Sequence, residues 1–230
     1  MMSELFGRLP EFKSVDQPLS PYTASAAHAR HLPPFCGGYP FKPTDRDWEQ
    51  IVSLFDGWRS GSLHYSEPWK LWRREFSRKT SRIFYKCTSG QAISEKLVTT
   101  LPLVGFAFMR HPVPHALSCE RLGWTERGGG FLSQSGPAWS LSRKQRNFVL
   151  RVDRSGSLFE RLLVNWVLEN RPILGSTESR IATFYYEDLM LHQERELNAI
   201  SRLANVDFPP RVVRSLSRAS VSSNSKKSGS

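Results

Sequence analysis

The sequence has few cysteines, no long apolar run and a shortage of acidic residues. Its three cysteines, Cys36, Cys87 and Cys119, are far apart and form no CxxC pair. This argues against a disulfide scaffold and against a zinc finger, so we expect a reducing compartment, the cytoplasm, and no metal site. The longest apolar run, 101–109, has nine residues, whereas a membrane-spanning helix needs about 20. The N-terminal residues show no charged-then-apolar block, so we expect neither a secretory signal nor a membrane partner.

The balance of charge is strongly basic. Thirty-two Lys and Arg residues against 21 Asp and Glu residues give a net charge of +11. We therefore expect anionic partners, such as phosphorylated cofactors, nucleic acid or acidic surfaces. No segment is an uninterrupted basic run, so a solvated basic face also explains the composition.

The chain divides into three segments by composition. Residues 1–43 contain seven prolines and are predicted to form a loop-rich lead-in. Residues 44–213 carry the periodic apolar patterns of a folded domain, beginning with a predicted helix at 45–56. Residues 214–230 are almost entirely Ser, Lys and Arg and are predicted to be a disordered basic tail.

Within the domain, short apolar runs alternate with helical periodicity. This order is typical of a parallel sheet flanked by helices, so the predicted fold class is α/β. The predicted strands are 83–85, 104–109 and 181–186, and the predicted helices after the first are 91–101, one opening at Pro112, 158–170 and 194–203.

One segment mixes aromatic and basic residues. Between Trp58 and Lys79, three tryptophans and Phe76 interleave with six basic residues. Such a mixture can bind nucleic acid by stacking and charge. At spacings of three and four residues it more often forms an amphipathic helix with its aromatics inward, which makes nucleic acid the less favoured partner.

Two basic residues follow predicted strands. Lys86 follows 83–85 and Arg110 follows 104–109, and α/β sheets bind ligands beyond the carboxyl ends of their strands. A helix opening at Pro112 is expected to add free backbone N–H groups beside Arg110. The residues thus indicate an anion site, although a strand-end arginine that satisfies local carbonyls remains an alternative.

The segment VGFAFMRHPVPHALS, 104–118, resembles the phosphate-binding motif of the PAPS-dependent sulfotransferases. In that motif an apolar strand ends in Arg, and a Ser stands eight residues later, as Ser118 does after Arg110. The segment IFYKCTSGQAI, 83–93, resembles the strand that delivers a lysine, and Lys86 precedes Arg110 by 24 residues.

Three further segments follow the order of the same family. The segment LFERLLVNWVLENRPIL resembles its helix, and RIATFYYEDLM its strand end. Near the N-terminus, SVDQPLSPY is similar to an "EPL" segment, with Gln17 where Glu is common. The family begins with a strand and a Gly-, Ser- and Thr-rich phosphate loop, which this sequence lacks.

The resemblance implies a P-loop-NTPase-like fold of the sulfotransferase type, truncated at its first strand. It also implies transfer of a sulfuryl group from PAPS (3′-phosphoadenosine-5′-phosphosulfate) to a hydroxyl or amine acceptor, which stays unidentified. Arg110 and Ser118 would hold the 3′-phosphate of this donor, and Lys86 would neutralise charge on the bridging oxygen. A catalytically inactive relative and a basic nucleic-acid-binding protein remain alternatives.

Other residues receive no catalytic role from the sequence. Thr88 stands where many members of the family have a histidine base, and no other residue is nominated as the base. The triplet 186–188, Tyr-Glu-Asp, is interpreted as structural, with Asp188 capping a turn and Tyr186 packing. Arg143, Lys144 and Arg146 could line a groove for an acidic acceptor, but solvated loop charges are the preferred interpretation. The oligomeric state is not predicted.

Overall fold

The computed structural model describes residues 5–20, 31–33, 43–63, 82–88, 90–124, 129–132 and 140–213. The predicted tail and most of the Trp58–Lys79 segment therefore lie outside the described residues. Chain contacts divide the protein into two compact units. Unit one comprises 1–33, 48–88 and 197–230, and unit two comprises 34–47 and 89–196.

In the described part of the chain, each strand is separated from the next by one or more helices. The strands are β1 (Phe12–Asp16), β2 (Arg82–Lys86), β3 (Gly105–Met109) and β4 (Ile181–Tyr185). The helices are α1 (Asp45–Ser60), α2 (Ser94–Thr100), α3 (Pro112–Arg121), α4 (Gly129–Leu132), α5 (Arg143–Ser155), α6 (Leu158–Leu174), α7 (Tyr186–Leu191), α8 (Gln193–Ala204) and α9 (Pro210–Val213), and a 3₁₀ turn at Gln91–Ile93 precedes α2.

The fold is α/β, with small parallel sheets flanked by helices. β1 pairs in parallel with β2, and β3 pairs in parallel with β4. Each parallel pair is joined through helical segments, as parallel pairing requires. Among the described residues, no helix has the length and apolar content needed to cross a membrane.

The core of unit one is rich in aromatic rings. Phe6 stacks on Phe84 of β2 with the ring centroids 4.6 Å apart, and it meets Phe12 edge to face at 5.2 Å. Phe55 of α1 lies 4.6 Å from Tyr85 on the same strand. Since these rings bury large apolar areas, they fix the β1–β2 pair within this unit.

The core of unit two is organised around α6. Trp166 of α6 packs against Ala107 and Met109 of β3, whereas Leu162 packs against Ala116 and Cys119 of α3. A third cluster joins Leu168 of α6 to Val149 of α5 and Phe131 of α4. α6 thus packs against both β3 and α3, and Arg110 lies in the chain between these two elements.

Two elements lie where the sequence analysis placed loops. β1 falls in the predicted lead-in, where FKSVD is short and flanked by turn residues but pairs along its whole length with β2. α5 includes Arg143, Lys144 and Arg146, so their interpretation as loop charges is wrong. Charged residues obscure its apolar stripe, of which only Val149 and Val152 are buried.

α1 continues to Ser60 rather than ending at 56, and two predicted element ends in unit two also differ from the structure. α6 continues through Pro172 to Leu174, because Ile173 in its last turn packs against the cluster of Ala107, Met109 and Trp166. β4 ends at Tyr185 rather than Tyr186, which instead begins α7. The second shift matters for the site, because it moves the Tyr-Glu-Asp triplet from a strand end to the first turn of a helix.

Candidate anion-binding site

The predicted site around Arg110 lies at the carboxyl edge of the β3–β4 pair. β3 ends at Met109, which pairs in register with Tyr185, the last residue of β4. Because the strands are parallel, the residues that follow them emerge at the same edge of the sheet. Arg110 is exposed there, and its guanidinium carbon lies 5.5 Å from the centroid of the Tyr186 ring. This cation–π contact orients the guanidinium at the edge where α/β sheets bind ligands.

The first turn of α3 has no backbone N–H group left for an anion. Pro112 and Pro114 lack the group altogether, and the N–H of Val113 donates to Nδ1 of His111 at 3.3 Å. The N–H of His111, the N-cap residue, donates to the carboxylate of Glu187, 3.2 and 3.1 Å from its two oxygens. The prediction of free N–H groups at this helix start is therefore wrong, because prolines remove two groups and local acceptors use the others.

Glu187 brings its own negative charge to the start of α3. Its carboxylate, partly buried, comes from the first turn of α7 and faces the N-terminus of another helix, where anionic groups are stabilised. Recognition of a further anion here consequently depends on side chains, with Arg110 the foremost. Asp188 of the Tyr-Glu-Asp triplet was expected to cap a turn, but no side chain caps the start of α7. Its Oδ1 lies 3.9 Å from the guanidinium Nη2 of Arg195 instead.

Ser118 lies two turns into α3 and is partly buried. It stands three residues after His115, so both side chains lie on one side of the helix. Burial, and secondly the charge of Arg110, lower the pKa of His115 below its ordinary value. Among the described residues no hydrogen bond joins Arg110 to Ser118. His115 links the two only indirectly, since its pKa is affected by the charge of Arg110 and it is a helix neighbour of Ser118.

His115 is fixed by a second contact. Its Nε2 lies 3.4 Å from Sγ of Cys119, which is buried against Ala116 and Leu162. This contact anchors one side of the imidazole to the core of unit two.

Lys86 belongs to unit one, whereas Arg110 and Ser118 belong to unit two. Lys86 is the last residue of β2, is partly buried and pairs in register with Asp16. Gln17, which directly follows β1, has a positive φ of 53°. Its side-chain Oε1 accepts hydrogen bonds from the backbone N–H and the hydroxyl of Thr88. The strand ends around Lys86 are thus cross-linked by Gln17 and Thr88, in the segment where the resemblance expects a catalytic lysine.

Sequence reasoning missed the residues that surround Arg110. Tyr186 and Glu187 follow β4 directly, and the alternation of strands and helices could have indicated that they reach the same edge as Arg110. His115 received no role from the sequence. Its burial beside Cys119 depends on how α3 packs against α6, which no local pattern encodes.

Comparisons of this chain with protein-family models, with curated proteins and with solved structures found no match.

Proposed function

We propose that this chain is a sulfotransferase-like protein that binds PAPS, with Arg110 and Ser118 holding the 3′-phosphate of the nucleotide. The observation that carries the proposal is the exposed Arg110 guanidinium at the carboxyl edge of the parallel β3–β4 pair, stacked over Tyr186. Its planar set of N–H donors matches the oxygens of a phosphate group. The sulfotransferase type of the α/β fold is part of the same proposal.

His115 and Ser118 support a phosphate in this position. With its pKa lowered, His115 is neutral at pH 7, so it leaves the positive charge of the site to Arg110. The hydroxyl of Ser118 can donate a hydrogen bond one helical turn further along the same side of α3. Its partial burial strengthens such a bond, because competition from water is reduced.

The residues after β1 affect how the nucleotide would be recognised. β1 is followed by Gln17, Pro18, Leu19 and Ser20 instead of a glycine-rich loop. Converging N–H groups of such a loop normally bind the 5′ phosphate of a nucleotide. We therefore expect the 3′-phosphate to contribute most of the affinity for the donor substrate.

The proposed reaction transfers a sulfuryl group from PAPS to a hydroxyl or amine. The acceptor atom forms a bond to sulfur while the bond from sulfur to the bridging phosphate oxygen breaks, and the acceptor loses its proton to a base. Negative charge collects on the bridging oxygen, and the ammonium of Lys86 is proposed to stabilise it. This role for Lys86 follows from the resemblance of its strand.

Calorimetry with adenosine 3′,5′-bisphosphate tests the binding proposal. We expect R110A to abolish detectable binding and S118A to weaken it at least about tenfold, since a hydrogen bond to a charged group contributes roughly 1.5–3 kcal/mol. R110K should restore little of the affinity for the bisphosphate, because a lysine cannot donate two parallel hydrogen bonds. R121A is the matched control, since Arg121 is exposed at the other end of α3.

Unchanged affinity in R110A, or an equal loss in R121A, would remove Arg110 from the proposed site. Adenosine 5′-monophosphate should bind much more weakly than the bisphosphate to the wild-type chain and equally weakly to R110A.

A second assay follows the release of the bisphosphate from PAPS with phenols, amines and glycans as acceptors. If K86M retains full turnover with an accepted substrate, the proposed role of Lys86 is wrong.

A further inference from the structure

The exposed side of α5 carries four cations and no acidic residue. We call it the basic face, and it comprises Arg143, Lys144, Asn147, Phe148, Arg151 and Arg154, all of them exposed. At about 100° per residue these six positions span about 140° of the helix circumference. From Arg143 to Arg154 the face extends about 16 Å along the helix axis, at about 1.5 Å per residue.

The charge of the basic face is not neutralised locally. Asp153 is the one acidic residue in α5, and it is partly buried on the opposite side of the helix. Within the described part of the chain, the four cations of the face form no salt bridge. Arg146 differs from them, because its guanidinium donates to the carbonyl of Leu132 at 2.9 Å. The four remaining cations are therefore available to an anionic partner.

The basic face is held on a fixed support. α5 begins with a capping box, in which the side chain of Ser142 accepts the N–H of Gln145 and the side chain of Gln145 accepts the N–H of Ser142. Its opposite side is buried through Val149, which packs against Phe131 and Leu168. Since the helix is capped and packed, its cations are presented at nearly constant spacing.

An aromatic ring lies among these cations. Phe148 is 48% exposed, and the guanidinium carbon of Arg151 lies 5.4 Å from its ring centroid. An exposed ring beside arginines is the combination with which proteins stack the bases of single strands while they bind the phosphates. Arginine outnumbers lysine on the face, and its guanidinium binds phosphate oxygens in pairs.

The packing of α5 argues against a membrane as the partner. A helix that binds a lipid surface needs an apolar side that enters the bilayer. In α5 that side, Val149 and Val152, is already buried. An acidic polysaccharide would satisfy the cations but has no planar base for Phe148. The combination of charge and ring therefore favours nucleic acid.

We infer that the basic face of α5 binds single-stranded nucleic acid, with Arg143, Lys144, Arg151 and Arg154 on phosphates and Phe148 stacked on a base. This activity goes beyond the proposed nucleotide site, because it uses none of the residues around Arg110. It also involves a different segment from Trp58–Lys79, which the sequence analysis considered for the same partner.

Fluorescence anisotropy with an oligothymidylate of about 12 nucleotides, within the usual site sizes of about 4–16, tests this inference on the full chain. The variant is R151Q/R154Q. The matched control is R121Q/R202Q, which changes two exposed arginines near the ends of other helices and lowers the net charge of +11 by the same two units. Circular dichroism establishes that both variants are folded.

Wild-type binding should weaken with salt with a log–log slope of about −2.8, because each of four phosphate contacts contributes about −0.7 on a single strand. In R151Q/R154Q the slope should fall to about −1.4, with about 25-fold weaker binding at about 0.1 M salt. R121Q/R202Q should keep the wild-type slope. F148L should weaken binding of the oligothymidylate at least about fivefold, because the stacking contact is lost. It should not weaken binding of inorganic polyphosphate, which has no bases.

Three results would overturn the inference. R151Q/R154Q and the control could lose affinity equally, which would show an effect of net charge alone. F148L could bind the oligothymidylate as tightly as the wild type, in which case the face would be a general polyanion surface. Phosphatidylserine vesicles could bind through the four cations while the oligothymidylate does not, which would assign the face to a membrane. Bisphosphate binding at Arg110 should stay unchanged in every α5 variant.

Discussion

The environment of Arg110 is set by the fold as well as by the motif around it. The Tyr186 ring comes from the helix after β4, and His115 comes from the first turns of α3, within the motif segment itself. The motif identified Arg110 by its position after an apolar strand, but it did not include Tyr186 and gave His115 no role. A strand-end position can be predicted from sequence, whereas the approach of the Tyr186 ring depends on the pairing of β3 with β4.

At the residue scale we predict that protonation of His115 destabilises the folded chain. Its pKa is lowered in the fold, mainly by burial and then by Arg110, from an ordinary value of 6.5. As the pH falls below about 6.5, the unfolded chain therefore binds a proton at this position before the folded chain does. The free energy of unfolding should fall through this window, and urea unfolding at pH 7 and pH 5.5 measures it.

H115Q should show a smaller loss of stability over the same pH interval. R110Q should raise the pKa of His115 toward its ordinary value, as followed by an NMR titration of the ring. A His115 pKa unaffected by R110Q would contradict the electrostatic interaction between Arg110 and His115.

At the scale of elements, the start of a helix is better predicted than its end. Pro112 was predicted at the first turn of a helix, and α3 begins there. By contrast, α6 was expected to stop before Pro172 and continues to Leu174, because a buried contact of Ile173 outweighs the unfavourable proline. Local chemistry sets helix starts, while tertiary packing decides how far a helix continues.

At this scale we predict that S157A lowers the free energy of unfolding by about 1 kcal/mol, the usual cost of a lost N-cap. Ser157 begins α6 with a capping box, in which its side chain accepts the N–H of Glu160 at 3.2 Å and the carboxylate of Glu160 accepts the N–H of Ser157 at 2.7 Å. Urea unfolding measures the change. S155A is the matched control, since the exposed Ser155 lies at the end of α5 outside any N-cap, and it should change stability by less than about 0.5 kcal/mol.

At the scale of the whole molecule, the sequence predicted parallel strands and helices but not their division into two units. The period of the apolar runs identifies β2, β3 and β4, since each is a short apolar segment. β1 was missed because FKSVD alternates weakly and lies within the proline-rich lead-in. Its pairing with β2, across more than 60 residues of chain, is a long-range contact that a local pattern cannot encode.

At this scale we also predict that the stability of unit two depends on Trp166. Trp166 is 8% exposed and packs against Ala107 and Met109, so W166A should lower the free energy of unfolding by about 3–5 kcal/mol. F148A removes an exposed ring from the same unit and should cost less than about 0.5 kcal/mol. Guanidinium unfolding followed by circular dichroism compares the two, and equal losses would contradict the assignment of Trp166 to the core.

The saturated start of α3 has a consequence for catalytic turnover. A phosphate cradled by several main-chain amides leaves slowly, whereas here one exposed guanidinium and one hydroxyl would provide the grip. We therefore expect adenosine 3′,5′-bisphosphate to dissociate quickly, so that product release would not limit the rate of the cycle.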